Sequence, residues 1–259
     1  MKTCLITLLA ILNFLCVTVV KSQSPGKAVA PPDSVVKSMN NLMDYYSAHL
    51  RLMGNFVAYD AHGKTIDKGQ FLKDLTTGDY LPLQLVSKTN AWVYQLYKLK
   101  PGTNDDVKAM LKQIGDTDYG LYQMVGKPFP PFHYVDLNGK VYTSENIKGK
   151  IVVLKAWFTS CIPCVAEMPE LNKLTEQYKN RKDIVFISIA WNPKKALEDF
   201  TKHTTFKYAI VPVKQSYIAQ TLHATGYPAH WIINKQGIVT SMSYDKDEMI
   251  AALRKEVGK

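Results

Sequence analysis

Ile151-Val-Val-Leu-Lys-Ala-Trp157, running straight into Phe158-Thr-Ser-Cys161-Ile-Pro-Cys164, is the stretch that decides the fold. The first seven residues form a dense apolar run, the mark of a strand buried on both faces. Pro163–Lys179 then carries a helical pattern, and Pro163 suits a first helical turn, where its missing N–H costs little. A strand therefore delivers two cysteines to the start of a helix. A thiol placed there lies among unpaired backbone N–H groups and at the positive end of the helix dipole, which favours negative charge. The thiolate is the form that attacks disulfides. Two intervening residues let the second sulfur close a ring and expel a mixed-disulfide partner.

Two inert readings of the pair compete with this one. Structural zinc needs four ligands, and no further cysteine remains in the mature chain to supply them. A structural bridge over so short a loop would remove little chain entropy. Both readings are weaker than redox chemistry.

The cysteine count depends on the first residues. The chain has 259 residues, four cysteines and a formal charge of +10. Met1-Lys2 is a short basic start, Leu5–Val20 is almost wholly apolar, and Val20-Lys21-Ser22 offers small residues for a signal peptidase. Residues 1–22 are expected to be a secretory signal, cleaved after Ser22. The alternatives are a retained anchor and a lipoprotein. The run of 16 residues is short for a span and is interrupted by Thr7, Asn13 and Thr18. Asn13-Phe-Leu15 lacks the small residues expected before a lipidated Cys16. Cleavage would leave two cysteines, 30 basic and 22 acidic side chains, and a charge of +8. Export would also place the pair in an oxidising compartment. The composition, 21% charged and 11% aromatic, excludes a disordered chain.

Upstream of the cysteines the chain reads as a small α+β unit over residues 33–115. Residues 23–32 look like a flexible leader. Asp33 or Ser34 is expected to cap a first helix carrying Val35, Val36, Met39, Leu42, Met43 and Tyr46. Apolar runs at Phe56–Tyr59, Tyr80–Leu85 and Trp92–Tyr97 read as strands, with a short helix at Lys68–Leu75. Thr103-Asn-Asp-Asp106 fits a capping box ahead of another helix. Residues 116–126 read as a linker, and 127–259 as the second domain.

There Asn138-Gly139 signals a hairpin, Ile184–Ala190 a second buried strand, and Asn192-Pro193 the start of a helix running to about His203. Tyr208–Val213 is a short strand and Ile218–His223 a short helix. His230–Asn234 and Ile238–Ser243 form a hairpin, and Asp245–Val257 a terminal helix. The alternation points to an α/β fold with a mixed sheet. Residues 126–259 carry 19 basic and 12 acidic side chains, an excess read as a solvated lysine surface rather than a docking patch. No clustered basic run favours nucleic acid.

Thr225-Gly-Tyr-Pro-Ala-His-Trp231 places a proline just before a strand. It is either an ordinary strand-starting proline or a cis Tyr227–Pro228 bond beside the cysteines.

These pieces occur together in one known family. Gly126-Lys-Pro-Phe-Pro130, Asp136-Leu-Asn-Gly139, Lys148-Gly-Lys-Ile-Val-Val-Leu154, the Cys161–Cys164 segment, Glu167-Met-Pro-Glu-Leu171, Gly226-Tyr-Pro228 and Ile232-Ile-Asn-Lys-Gln-Gly237 stand in order. Residues 126–259 thus resemble the TlpA/ResA group of exported thiol-disulfide oxidoreductases, within the redoxin (AhpC/TSA) superfamily. The resemblance implies a thioredoxin-like fold, a mixed central sheet flanked by helices, with an extra strand–helix insert inside Thr205–His223. It implies a cis Pro228 opposite a nucleophile at Cys161, and a glutamate, here Glu167, assisting proton transfer. Cys164 would resolve the mixed disulfide. Trp157, Ile162, Pro163 and Tyr227 are candidates for the docking surface.

Lys155 departs from the family, where relatives carry an acid or an amide six residues before the first cysteine. A lysine in mid-strand either pairs with Glu167 and modulates Cys164, or reaches solvent past the sheet edge. The histidines are scattered, with His230 notable for lying two residues after Pro228.

The sequence thus predicts an exported disulfide reductase or exchange protein with no dissociable cofactor beyond its own Cys161–Cys164 pair, and no metal. Its partners would be disulfide-containing envelope proteins, in cytochrome c maturation or in general reduction, and a membrane-bound thiol donor. A thiol peroxidase is disfavoured because Phe158 stands where a Thr or Ser is needed. A copper chaperone would recruit Cys161, Cys164 and His230, although such relatives separate their cysteines by three residues. Nothing in residues 33–115 receives a role, and the oligomeric state stays open.

Overall fold

The computed structural model describes residues 26–89 and 91–258. The expected signal segment, with Cys4 and Cys16, lies outside them.

The first half contains α1 (Pro32–Val35), α2 (Met39–His49), β1 (Phe56–Tyr59), β2 (Thr65–Ile66), α3 (Lys68–Leu75), β3 (Tyr80–Gln84), β4 (Trp92–Lys98) and α4 (Asp105–Met124). The strands form one sheet in the order β2-β1-β4-β3, with β1 and β4 parallel and the other pairs antiparallel. The small α+β unit expected from the sequence is present, with four local differences. The first helix is two helices. Ser38, in extended backbone, caps the second by accepting the Asn41 N–H at 3.2 Å. Asn104, not Thr103, caps α4, accepting from Asp106 and Val107. Part of the supposed leader is anchored: Val29 N–H donates to Gln84 O, and Val86 N–H to Lys27 O.

The fourth difference matters most. The supposed linker is the second half of α4, a single helix of 20 residues. Its buried stripe of Val107, Leu111, Ile114, Gly115, Asp118 and Leu121 follows helical spacing. Val107, Leu111 and Ile114 sit in the core of the first half, whereas Leu121 and Met124 sit in the core of the second. A helix closes both cores because its stripe never breaks. Gly115 is needed where α4 crosses the end of α3: a Cβ there would lie 2.4 Å from the Leu75 carbonyl carbon.

The second half contains the hairpin β5 (His133–Val135) and β6 (Val141–Thr143), then β7 (Ile151–Trp157), α5 (Ile162–Ala166), α6 (Met168–Gln177), β8 (Ile184–Ala190), α7 (Lys194–Thr201), β9 (Ala209–Pro212), a π-helical turn (Tyr217–Thr221), β10 (Ala229–Ile233), β11 (Val239–Ser243) and α8 (Lys246–Val257). The central sheet runs β11-β10-β7-β8-β9, with β7, β8 and β9 parallel and β10 and β11 antiparallel. Helices flank it, giving the thioredoxin-like fold, preceded by the small α+β unit. The insert region supplies β9 and the π-helical turn. The Asn138-Gly139 loop is longer than two residues: Asp136 gathers the N–H groups of Asn138 and Lys140, and Gly139 takes φ +81°.

β7 is buried along its whole length. Val152, Leu154 and Ala156 face a core completed by α4 and the β5–β6 hairpin. Ile151, Val153 and Trp157 face another, completed by α6, α7 and α8. Each such aliphatic side chain contributes about 1.5–3 kcal/mol by leaving water. Lys155 lies on this second face, and that placement builds the site.

Candidate active site

β7 ends at Trp157, and four residues later Cys161 caps α5. Cys161 and Cys164 form a disulfide with their Cα atoms 5.2 Å apart. The Cys164 N–H donates to Cys161 Sγ at 3.3 Å. The same N–H is placed to stabilise a Cys161 thiolate once the bond is reduced. Cys164 is fully buried and Cys161 nearly so, whereas Ile162 between them is 82% exposed and Pro163 is also exposed. An apolar knob therefore marks the mouth of the site.

The Tyr227–Pro228 peptide is cis. Pro228 directly precedes β10, which pairs with β7 so that Ala229 faces Ala156. Tyr227 packs edge-on against Phe158, with ring centres 5.3 Å apart, and Phe158 stacks at a tilt on Trp191. Phe158 O accepts the Cys161 N–H. Asn192 clasps the loop from the other side: its Oδ1 accepts the Thr159 N–H at 2.9 Å, and its Nδ2 donates to Thr159 Oγ1 at 3.1 Å. Sequence reasoning saw Asn192 only as the residue before a helix-starting proline. Nothing in its spacing from Cys161 marks it as a brace.

Behind the disulfide lie three ionisable side chains. Lys155 is fully buried and pairs with Glu167 Oε1, which settles its two sequence readings in favour of pairing. Its Nζ also donates to the Cys164 carbonyl oxygen at 3.3 Å. The antiparallel register sets His230 opposite Lys155, and His230 Nε2 lies 3.1 Å from Glu167 Oε1, off the line of a hydrogen bond. Glu167 does not ride one continuous helix with Cys164. It sits where α5 hands over to α6, because Pro169 has no N–H to continue the ladder. Burial pulls the Lys155 amine below its ordinary value, opposed by Glu167. For Glu167 burial pushes upward, but His230 and Lys155 outweigh it and hold the carboxyl below its ordinary value. Burial also lowers the His230 imidazole, opposed by Glu167. The cluster thus sets a carboxyl against a buried amine, and the amine is in direct contact with the Cys164 backbone.

Two sequence expectations change. Trp157 is not at the rim: it is fully buried between Phe200 and Phe206 and touches no client surface. β-Alternation already put it on the Lys155 face, but α6, α7 and α8 cover that face. His230, which a copper reading would recruit, has its Nε2 3.1 Å from Glu167 Oε1. Ile162, Pro163 and Tyr227 do lie around the cysteines.

Comparison with known proteins agrees with this geometry. Residues 125–242 match the AhpC/TSA family. The chain is 33% identical over 139 residues to a thiol-disulfide oxidoreductase ResA of Bacillus cereus, spanning 50% of this chain and 80% of that one. It is 26% identical over 141 residues to the thioredoxin-like protein YneN of Bacillus subtilis (strain 168), spanning 50% and 82%. Among solved structures, a thiol-disulfide oxidoreductase from Bacteroides fragilis NCTC 9343 aligns with a TM-score of 0.45 at 19% identity, over 50% of this chain and 98% of that one. By its ordered motifs, its fold and its kinship in sequence, the chain belongs to the ResA family of thiol-disulfide oxidoreductases.

Proposed function

We propose that this enzyme reduces disulfides of exported proteins through Cys161 and Cys164. The observation that carries the reading is the buried Cys161–Cys164 disulfide at the start of α5, with the Cys164 N–H directed at Cys161 Sγ. In the reduced enzyme the Cys161 thiolate attacks one sulfur of a client disulfide. A Cys161–client disulfide forms and the other client sulfur leaves as a thiolate. Cys164 loses its proton and attacks Cys161 Sγ, closing the Cys161–Cys164 bond and releasing the second client thiol. Two electrons pass to the client, and a membrane-bound thiol donor restores the dithiol. No dissociable cofactor enters the cycle.

Glu167 is the group through which the Cys164 proton passes, and Lys155 is a positioning residue that holds Glu167 and the Cys164 carbonyl. The exposed Ile162 and Pro163, with Tyr227 and Pro228, form the surface on which an extended client segment lies. Export follows from the expected signal segment at residues 1–22. Among the described residues no helix is long and apolar enough to cross a membrane.

The test is trapping. Cys164→Ser should accumulate a mixed disulfide between Cys161 and its client, and the client's identity separates cytochrome c maturation from general reduction. Full insulin reduction by Cys161→Ser would remove the assigned nucleophile. Titration of both thiols in Lys155→Ala checks the buried cluster: unchanged values would remove Lys155 from the mechanism.

A further inference from the structure

A cavity of about 430 Å³ opens where the two halves of the chain meet, beside the cis peptide. Tyr46 and Arg51 enter it from the end of α2 and the loop beyond, Asp118 from α4, Tyr227 from the loop before β10, Tyr244 from the end of β11, and Glu248 from α8. We propose that this cavity receives a basic side chain, lysine or arginine, of the client held at Cys161, so that the amino-terminal half selects clients.

The proposal rests on the reading of Cys161 as nucleophile and extends it. Its first support is Asp118. This residue is only 5% exposed, lies on the buried stripe of α4, and lines the cavity. Among the described residues no hydrogen bond or ion pair reaches its carboxyl. The neighbouring groups are already engaged. Arg51 donates to the carbonyls of Ser47 and Leu50, Glu248 accepts from Ser243 Oγ at 2.5 Å, and Lys68 donates to the carbonyls of Met53 and Gly54. A buried carboxyl without a partner is costly, and a cation arriving from outside relieves that cost.

The cavity's other walls suit the same guest. Tyr46, Tyr227 and Tyr244 offer aromatic surface to the stem and face of a cationic side chain. The Tyr244 hydroxyl is buried without a hydrogen-bond partner. Tyr227 connects cavity and chemistry: its ring packs on Phe158, whose carbonyl accepts the Cys161 N–H. A client segment lying along the Tyr227–Pro228 peptide thus runs from the sulfur toward the cavity, because Tyr227 borders both.

The groups that face Asp118 also set how its charge responds to pH. They are Lys68 from α3, Tyr46 from α2, Tyr94 from β4 and Tyr244 just past β11, with Arg51, Asp245 and Glu248 lining the same cavity. Burial raises the carboxyl to about 7 and Lys68 opposes the rise. The cavity is therefore less anionic at pH 5 than at pH 8.

The test uses reduced full-length mature protein and disulfide-linked peptide dimers. A lysine is placed at each position from the second to the fifth residue beyond the cysteine, and norleucine is placed there in the matched peptide. At one position the lysine peptide should react with a kcat/KM about tenfold higher at pH 8, the scale of one charge-assisted hydrogen bond. In Asp118→Asn this ratio should collapse toward one. In the wild-type protein it should also shrink at pH 5. That measurement needs no variant and cancels the titration of the thiols. Equal rates for both peptides at every position would overturn the proposal, as would a lysine advantage that survives Asp118→Asn or ignores pH. Failure of all peptides to react would instead count against Cys161 as nucleophile.

Discussion

Replacing Lys155 by methionine isolates what the buried ion pair contributes. The substitution keeps most of the volume and removes the ammonium that meets Glu167 and the Cys164 carbonyl. Glu167 is only 8% exposed, and its remaining ionic neighbour is His230, 3.1 Å away and off-line. Leaving one charge of a buried pair without its partner costs about 3–5 kcal/mol. Against a total stability of about 5–15 kcal/mol, that is a large loss. Glu167→Gln alone strands the ammonium and should cost a similar amount. Lys155→Met with Glu167→Gln removes both charges and should recover most of the loss, because neutral groups of like shape replace a buried pair at little cost. With each single variant losing about 3–5 kcal/mol and the double variant losing little, the cycle predicts a coupling of at least about 3 kcal/mol. Chemical denaturation of the disulfide form at pH 7 measures it without interference from thiol titration. The pH dependence has a fixed sign. A carboxyl held below its ordinary value stabilises the fold above that value, and the contribution is lost as pH falls through the folded one. The difference between wild type and Glu167→Gln should therefore shrink below about pH 4. Two additive single substitutions, with coupling under about 0.5 kcal/mol, would refute the buried pair.

Other expectations follow from the same contacts. Burial raises the Asp118 carboxyl from 3.8 to about 7, so its stabilisation is complete below the lower value and lost as pH rises through the upper one. The denaturation midpoint relative to Asp118→Asn should fall as pH rises from about 4 to 7 and level off above that. Trp157→Ala should destabilise by about 3–5 kcal/mol in equilibrium unfolding, as for any fully buried indole. Gly115→Ala should lower the melting temperature despite alanine's better helix propensity, because its Cβ meets the Leu75 carbonyl carbon; about 1–3 kcal/mol is the usual cost of such crowding. Ile162→Asp should leave stability within about 0.5 kcal/mol while raising KM for protein disulfides, since Ile162 is 82% exposed.

The redox half was largely legible because its signals are local. A buried strand, a helix-starting CxxC and a proline before a strand each occupy a few residues, and the strand bounds of β7 and β8 match the expected ones. The pairing of Lys155 with Glu167 was readable as a question, since a mid-strand lysine needs a partner. The answer needed the fold: it depends on β10 lying beside β7, which sets His230 opposite Lys155 across 75 residues of sequence. Trp157 was misplaced because alternation gives a side chain's face but not what covers that face. Asp116–Gly126 reads as a linker because Gly120, Gly126 and several polar residues interrupt it, whereas Gly120 sits where α4 passes close to His223. The role of residues 33–115 had no local signal at all.

The unbroken run of α4 has one further consequence. The match to the AhpC/TSA family starts at residue 125, just past the last residue of α4. Yet Leu121 and Met124, before that boundary, finish the core against which β7 and β10 pack. The seam between the shared half and its extension thus runs through a packed core rather than a linker. A cut there would take Leu121 and Met124 from that core and uncover part of an apolar face of the sheet. Whatever the first half adopts as its task, it is also a lid on the second half's interior, and the two inherit each other's substitutions.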